Sequence, residues 1–209
     1  MKKAFLTVLF ILPMLGIHAQ EVKLPDHSAN PTKPLTIALE QRRTIRNFET
    51  RPLDMQTISN LLWSAYGYNR PQEHKRTAPS ARNVQEFDIY FFDFKGVWLY
   101  DAEHNSLKQV VGGDHRKEIS SQTHFSVAPV SVVIVANYDR IGDMLGKERD
   151  FYAAIDAGYV SQNIYLYCAA SDLGTVACGA VDREGLNKLL GIKNGKVMLA
   201  HPVGYPKSK

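Results

Sequence analysis

Cysteine is scarce in this chain: two residues in 209, Cys168 and Cys178. Neither belongs to a C-x-x-C pair and no H-x-H pattern occurs, so a structural zinc site has no ligand set. An exported chain could pair the two thiols. Their surroundings favour two buried free thiols instead: Cys168 sits in the apolar helical pattern "NIYLYCAASDLG" and Cys178 in the strand-like "GTVACG". A strong charge of one sign is also missing. The formal net charge is only +4 and no basic stripe interleaved with aromatics occurs, which excludes a nucleic-acid-binding surface. There is no internal repeat and no low-complexity tract. No Ser-His-Asp arrangement argues for a side-chain nucleophile, and the seven histidines are scattered, as surface or core groups are.

What is present is ordinary for a globular chain, 44% hydrophobic and 22% charged. This length supports one well-buried domain and falls short of two full-sized ones. The start differs from the rest. "MKK", the apolar run "AFLTVLFILPMLGI" and "HAQ" form the charged, apolar and cleavage regions of a secretory signal peptide over residues 1–19. The apolar run is shorter than the ~20 residues of a spanning helix, so no membrane span is expected after cleavage. Losing Lys2 and Lys3 takes the formal charge from +4 to +2. The expected location is outside the cytoplasm, in the periplasm.

Residues 20–34, with three prolines in "EVKLPDHSANPTKP", read as a linker or extended arm, and 35–209 as the domain. "DMQTISNLLWSAYGY" predicts a helix capped by Asp54, with Ile58, Leu61, Leu62 and Ala65 buried and Gly67 as its stop. "NRPQEHKRTAPSARN" is a polar loop. "FDIYFFDF", "VWLYD" and "SLKQVV" predict short strands, and the unbroken apolar run "APVSVVIVAN" a central one. Ile141 to Leu173 reads as mostly helical, with small and apolar residues nearly all round. Such a helix lies inside a fold or in a subunit interface. "TVACGAV" and "KVMLAHPVGYP" predict strands on either side of a helix starting at Asp182. This order gives an α+β fold with a mixed or antiparallel sheet.

Four pieces could carry chemistry. "QRRTIRNF" strings Arg42, Arg43 and Arg46 together with Thr44 and no acid between them. Guanidinium groups match phosphate oxygens bidentately; a solvated, salt-bridged helix end is the plainer alternative. "TAPSARNVQ" offers Pro79, Ser80, Ala81 and Asn83, which could lie flat on a planar ring or form a simple turn. In "LGTVACGAVD", Gly179 beside Cys178 allows close backbone approach to a ligand, or marks a bulge. "VGYPKSK" adds Lys207, or ends the chain as a solvated tail.

Taken in this order, "RRTIRNF", "PSARNVQ", "LGTVACGAVD" and "GYP" resemble the motifs of the nitroreductase family of flavin mononucleotide enzymes, over about Leu35 to Pro206. The stretch "GVWLYDAEHNSLKQVVGGDHRKEISSQ" resembles the SagB-type branch, which oxidises azoline rings in peptides. The resemblance implies a three-layer α+β fold with a central sheet between helices, working as an intertwined homodimer. It implies FMN as cofactor, an electron donor, and a small acceptor such as a nitroaromatic or quinone. Arg42 and Thr44 would meet the FMN phosphate with Arg43 beside them, and Arg46 the pyrimidine edge. Pro79, Ser80, Ala81 and Asn83 would cover the flavin from the other subunit. Cys178 and Gly179 would face N5, and Lys207 would give a second phosphate contact. A flavin-binding module without turnover and an azoline-type peptide dehydrogenase are the alternatives.

Overall fold

The structure, a computed structural model, describes residues 20–28 and 33–207; residues 1–19, read above as a signal peptide, lie outside them. Everything is organised on one strand, Val130–Asn137, whose first seven residues are buried. Successive side chains on a strand point to opposite faces. Val130, Val132, Ile134 and Ala136 accordingly enter one hydrophobic cluster, and Val133 and Val135 another. A strand apolar on both faces must be covered on both, which sets the three layers.

In chain order the strands are β1 (Glu21–Lys23), β2 (Tyr68–Arg70), β3 (Lys75–Arg76), β4 (Phe87–Phe92), β5 (Gly96–Asp101), β6 (Ser106–Gly112), β7 (Val130–Asn137), β8 (Gly174–Thr175) and β9 (Gly195–Gly204). The helices are α1 (Leu35–Gln41), α2 (Met55–Tyr66), α3 (His124–Val127), α4 (Tyr138–Ile141), α5 (Arg149–Ala170) and α6 (Arg183–Leu190). Seven strands form one sheet in the order β1-β6-β5-β4-β7-β9-β8, and its named pairs are all antiparallel. Helices α2 and α5 cover one face, burying Leu61, Leu62, Ala157, Val160 and Ile164 against it. On the other, Phe125 of α3 and Leu186 and Leu190 of α6 pack with Ile119.

The predicted caps form. Asp54 accepts from Thr57 N–H at 2.7 Å, and Asp182 accepts from Gly185 N–H at 2.9 Å. The amino-terminal arm adds β1 to the sheet edge, beside β6. The polar loop before β4 contains the small β2–β3 hairpin. The long helix starts only at Arg149, because Gly142 and Gly146 each take a φ of +51° and break the chain into short turns before it. The strand expected over "TVACGAV" is cut to two residues. Its register against β9 stays constant, with Gly174 opposite Gly204, Thr175 opposite Val203 and Cys178 opposite Ala200. The intervening residue that should exchange two bonds with Val176 is Pro202, which has no N–H to give.

Helix α5 is buried on the sheet side and leaves Phe151, Tyr152, Ile155 and Tyr159 exposed. Among the described residues, no helix is long and apolar enough to cross a membrane.

Candidate functional site

The arginine segment is not a helix end. Helix α1 stops at Gln41, and the chain runs extended along the rim of the sheet. Thr44 bridges Thr175, Ile45 N–H donates to Thr175 O at 2.9 Å, and Phe48 bridges Pro206. Along this segment Arg42, Arg43 and Ile45 line one cavity, and Arg46 and Asn47 another. Arg42 lies over the Tyr165 ring, 5.2 Å from its centroid, and Thr44 Oγ1 is 3.1 Å from Tyr165 Oη. The same phenol oxygen accepts from Ala177 N–H at 3.0 Å. Tyr165 therefore ties the arginine segment to the chain that leads to Cys178.

Among the described residues, Arg42, Arg43 and Arg46 have no ion-pair partner. Arg42 and Arg43 line a cavity of about 550 Å³, and Arg46 one of about 390 Å³ together with His124 and Lys207. No acidic side chain lines the second cavity. In the first, Asp172 is held by Lys33 at 2.5 Å, and Glu40 also lines the wall beside Arg42 and Arg43. The second cavity thus gathers Arg46 and Lys207 with no acid in its wall, and the first sets two guanidinium groups beside Glu40; a net positive lining of this kind suits an anion.

Behind the segment, His201 is fully buried. Its ring bridges Ser161 Oγ at 2.9 Å and Thr175 Oγ1 at 3.1 Å, and burial holds it down to about 3, a neutral imidazole. It fixes Thr175 under the arginine segment. Ile45 packs down on Gly174, where a Cβ would stand 2.7 and 2.8 Å from Ile45 Cγ2 and Cβ. We expect Gly174→Ala to cost about 1–3 kcal/mol and to lift the arginine segment off the sheet rim. An unaltered denaturation midpoint would show that this docking is not fixed by the contact.

Cys178 sits on the strand edge opposite Ala200. Its N–H and C=O are both bonded to Ala200, at 2.8 and 3.0 Å, so its backbone has no donor left for a ligand. Its sulfur lies 3.4 Å from His124 Nε2. Burial pushes the Cys178 thiol up, against the pull of Arg46; burial and Arg46 together push His124 down. The pair is thus thiol and neutral imidazole, which lacks the thiolate of a nucleophile. Gly179 is open beside it: a Cβ there would meet nothing nearer than Leu199 at 4.0 Å.

Pro79, Ser80, Ala81 and Asn83 are not brought to Arg42 within one chain. Their loop docks on α5 at Asp156, which accepts from Ala81 N–H at 2.7 Å. The arginine segment docks at Tyr165, nine residues and roughly 13 Å further along that helix. Lys207 stands with Arg46 and apart from Arg42 and Thr44. Tyr165 and His124 were invisible as site residues in the sequence. One tyrosine in a largely apolar helix, and one histidine among seven, carry no signal until the fold sets them beside the arginines.

An antiparallel sheet between helices, with guanidinium groups outside any ion pair on a rim segment, defines an α+β domain with a cationic rim. The particular family follows from the comparisons. Residues 39–205 match the nitroreductase family, and the chain belongs to it. A Methanocaldococcus jannaschii protein provisionally assigned as a nitroreductase is 30% identical over 194 residues, 88% of this chain and 96% of that one. A crystal structure from Ralstonia eutropha JMP134, with the same provisional assignment, superposes with a TM-score of 0.86 at 31% identity, covering 97% of both chains. The NADPH:FMN oxidoreductase of Vibrio harveyi, solved with NAD+, shares the fold at a TM-score of 0.60 and 19% identity, covering 83% of this chain and 69% of that one. The family places this chain among oxidoreductases.

Proposed function

We propose that the protein is an FMN-dependent oxidoreductase that works as a homodimer, taking electrons from a donor and passing them to a small acceptor such as a nitroaromatic or quinone. The observation that carries this reading is the rim segment with Arg42, Thr44 and Arg46, docked on Thr175 and Pro206, with neither arginine in an ion pair among the described residues. Those residues fit FMN. A phosphate monoester takes several donors at one end, and the electron-rich pyrimidine edge takes a cation at the other. When bound, FMN supplies the hydride chemistry. Arg42 and Thr44 hold the phosphate with Arg43 beside them, and Arg46 faces the ring. Gly179 leaves room for close approach at N5. Ser80, Ala81, Asn83 and Pro79 of a second copy cover the ring. Two facts support the second copy. One chain keeps that loop and the arginines apart, and α5 exposes Phe151, Ile155 and Tyr159 at helical spacing, a stripe suited to burial between protomers.

A second reading, an azoline-type peptide dehydrogenase, rests on the resemblance of residues 96–122 to the SagB-type branch. The segment that resembles the SagB-type branch ends at Gln122, whose Oε1 lies 3.9 Å from the Cys178 sulfur, next to His124. The signal-peptide reading bears on both. Export would separate the protein from cytoplasmic nicotinamide, so other reductants belong in the assay.

The test starts with the absorption spectrum of the purified protein after reconstitution with FMN. We expect a yellow protein with one flavin per chain that turns over a quinone or nitroaromatic with NADPH or dithionite. A colourless protein ends the proposal. A yellow protein inert with every donor is a flavin-holding module, and one that oxidises only azoline peptides belongs to the second reading.

A further inference from the structure

The loop from Ser80 to Gln85 is held in an unusual shape. Arg82, Asn83 and Gln85 have φ of 51°, 57° and 55°, a left-handed conformation that non-glycine residues keep only where their surroundings impose it. Gln85 N–H donates to Ser80 Oγ at 2.9 Å, and the Gln85 side chain is fixed by Arg76 and by His74 O. The tie to the body of the fold is the bond from Ala81 N–H to Asp156 Oδ2 on α5.

Next to that carboxylate lies another. Glu86 is fully buried, and among the described residues neither of its carboxylate oxygens has a hydrogen-bond donor from outside Glu86 itself. Asp156 is 3% exposed. The charged or titratable groups facing Glu86 are Asp156 from α5, Tyr66 from α2 and Arg140 from α4. Arg140 is already paired with Asp88. A buried carboxylate with no donor and no cation of its own is unfavourable. The donor this geometry lacks is a proton between the two acids.

We propose that Glu86 and Asp156 are positioning residues, a buried acid pair that shares one proton and clamps the 80–85 loop in the shape that covers the flavin ring. The role in covering the ring rests on the FMN reading above; the clamp itself does not. With the proton in place, Glu86 donates to Asp156, and Asp156 still accepts from Ala81. Without it the two carboxylates repel, Asp156 turns away, the Ala81 bond is lost and the left-handed residues relax. Burial, reinforced by the Asp156 charge, pushes Glu86 up to about 7, and burial also raises Asp156. The sign follows. A carboxyl raised above its ordinary range contributes its stability in full below that range, and loses it as pH rises through the folded value.

The experiment compares wild type with Glu86→Gln, whose amide can donate to Asp156 at every pH, between about pH 6 and about pH 8. Infrared difference spectra of the wild type should lose the band of an un-ionised carboxylic acid over this range, and the variant should not. Amide exchange at 80–85, corrected for base catalysis, should accelerate with pH in the wild type only. The Kd for FMN should rise by up to about tenfold per pH unit above 7 in the wild type and stay flat in the variant. If Glu86→Gln fails to fold, Asp156→Asn supplies the same donor from the other side. No acid band, or equal exchange slopes in wild type and variant, overturns the clamp. Exchange that responds while FMN affinity does not supports the clamp and removes this loop from the flavin site. Firm FMN binding with an unresponsive loop overturns the clamp and leaves the flavin reading standing.

Discussion

Arg42→Ala should purify without flavin and should recover it only at FMN concentrations on the order of a hundred times those the wild type needs. Arg42 is the first residue past the end of α1, braced over Tyr165 and in no ion pair among the described residues. A guanidinium that meets a phosphate edge-on forms two charge-assisted bonds, each ~1.5–3 kcal/mol. Losing about 3 kcal/mol corresponds to roughly a hundredfold in Kd. Arg42→Lys should fall between, since an ammonium keeps the charge but loses the fork. The protein should stay folded: Arg42 is only half-buried, so the flavin-free variant and flavin-free wild type should unfold within about 0.5–1 kcal/mol of each other. Equilibrium dialysis against FMN checks the first number and urea denaturation the second. Wild-type FMN affinity in Arg42→Ala would remove the phosphate assignment, whatever the other arginines do.

The sequence carried the parts of the fold that are local. Asp54 and Asp182 cap their helices because an aspartate at that position bonds the next turn whatever surrounds it. The run at 130–137, rich in β-branched residues, reads as a strand covered on both faces, and it is one. What stayed hidden depends on partners far along the chain. Nothing near Thr175 announces that Pro202 will stand opposite and cut the strand short. Glu86 stands just before β4 where an acid is ordinarily exposed, and only the packing of α2, α4 and α5 makes it a buried one. The same division holds in the site. The arginine row was legible because guanidinium groups without acids are rare in any local context. Tyr165, His124 and Asp156 take their meaning from partners far along the chain: Thr44 is 121 residues from Tyr165, Cys178 is 54 from His124, and Ala81 is 75 from Asp156.

Arg46→Ala should behave in the opposite way to Arg42→Ala: FMN stays bound and its reduction potential falls by on the order of 70 mV. Arg46 is exposed, unpaired among the described residues, and faces the cavity it shares with His124 and Lys207. At ~5 Å and an effective dielectric of ~20, its charge would stabilise the negative charge of a reduced ring by about 3 kcal/mol. For a two-electron couple that converts to roughly 70 mV. Arg46→Lys should restore most of it, because the effect is one of charge and needs no fork. A readout independent of flavin guards the assignment. Arg46 helps to push His124 down, so in the flavin-free protein its removal should let the His124 imidazole titrate at higher pH, followed by NMR. A shifted His124 with an unshifted potential would place Arg46 beside the histidine and away from the ring. If both stay where they are, the charge of Arg46 does not enter this cavity, and the pyrimidine edge of the flavin must be met by Lys207 instead.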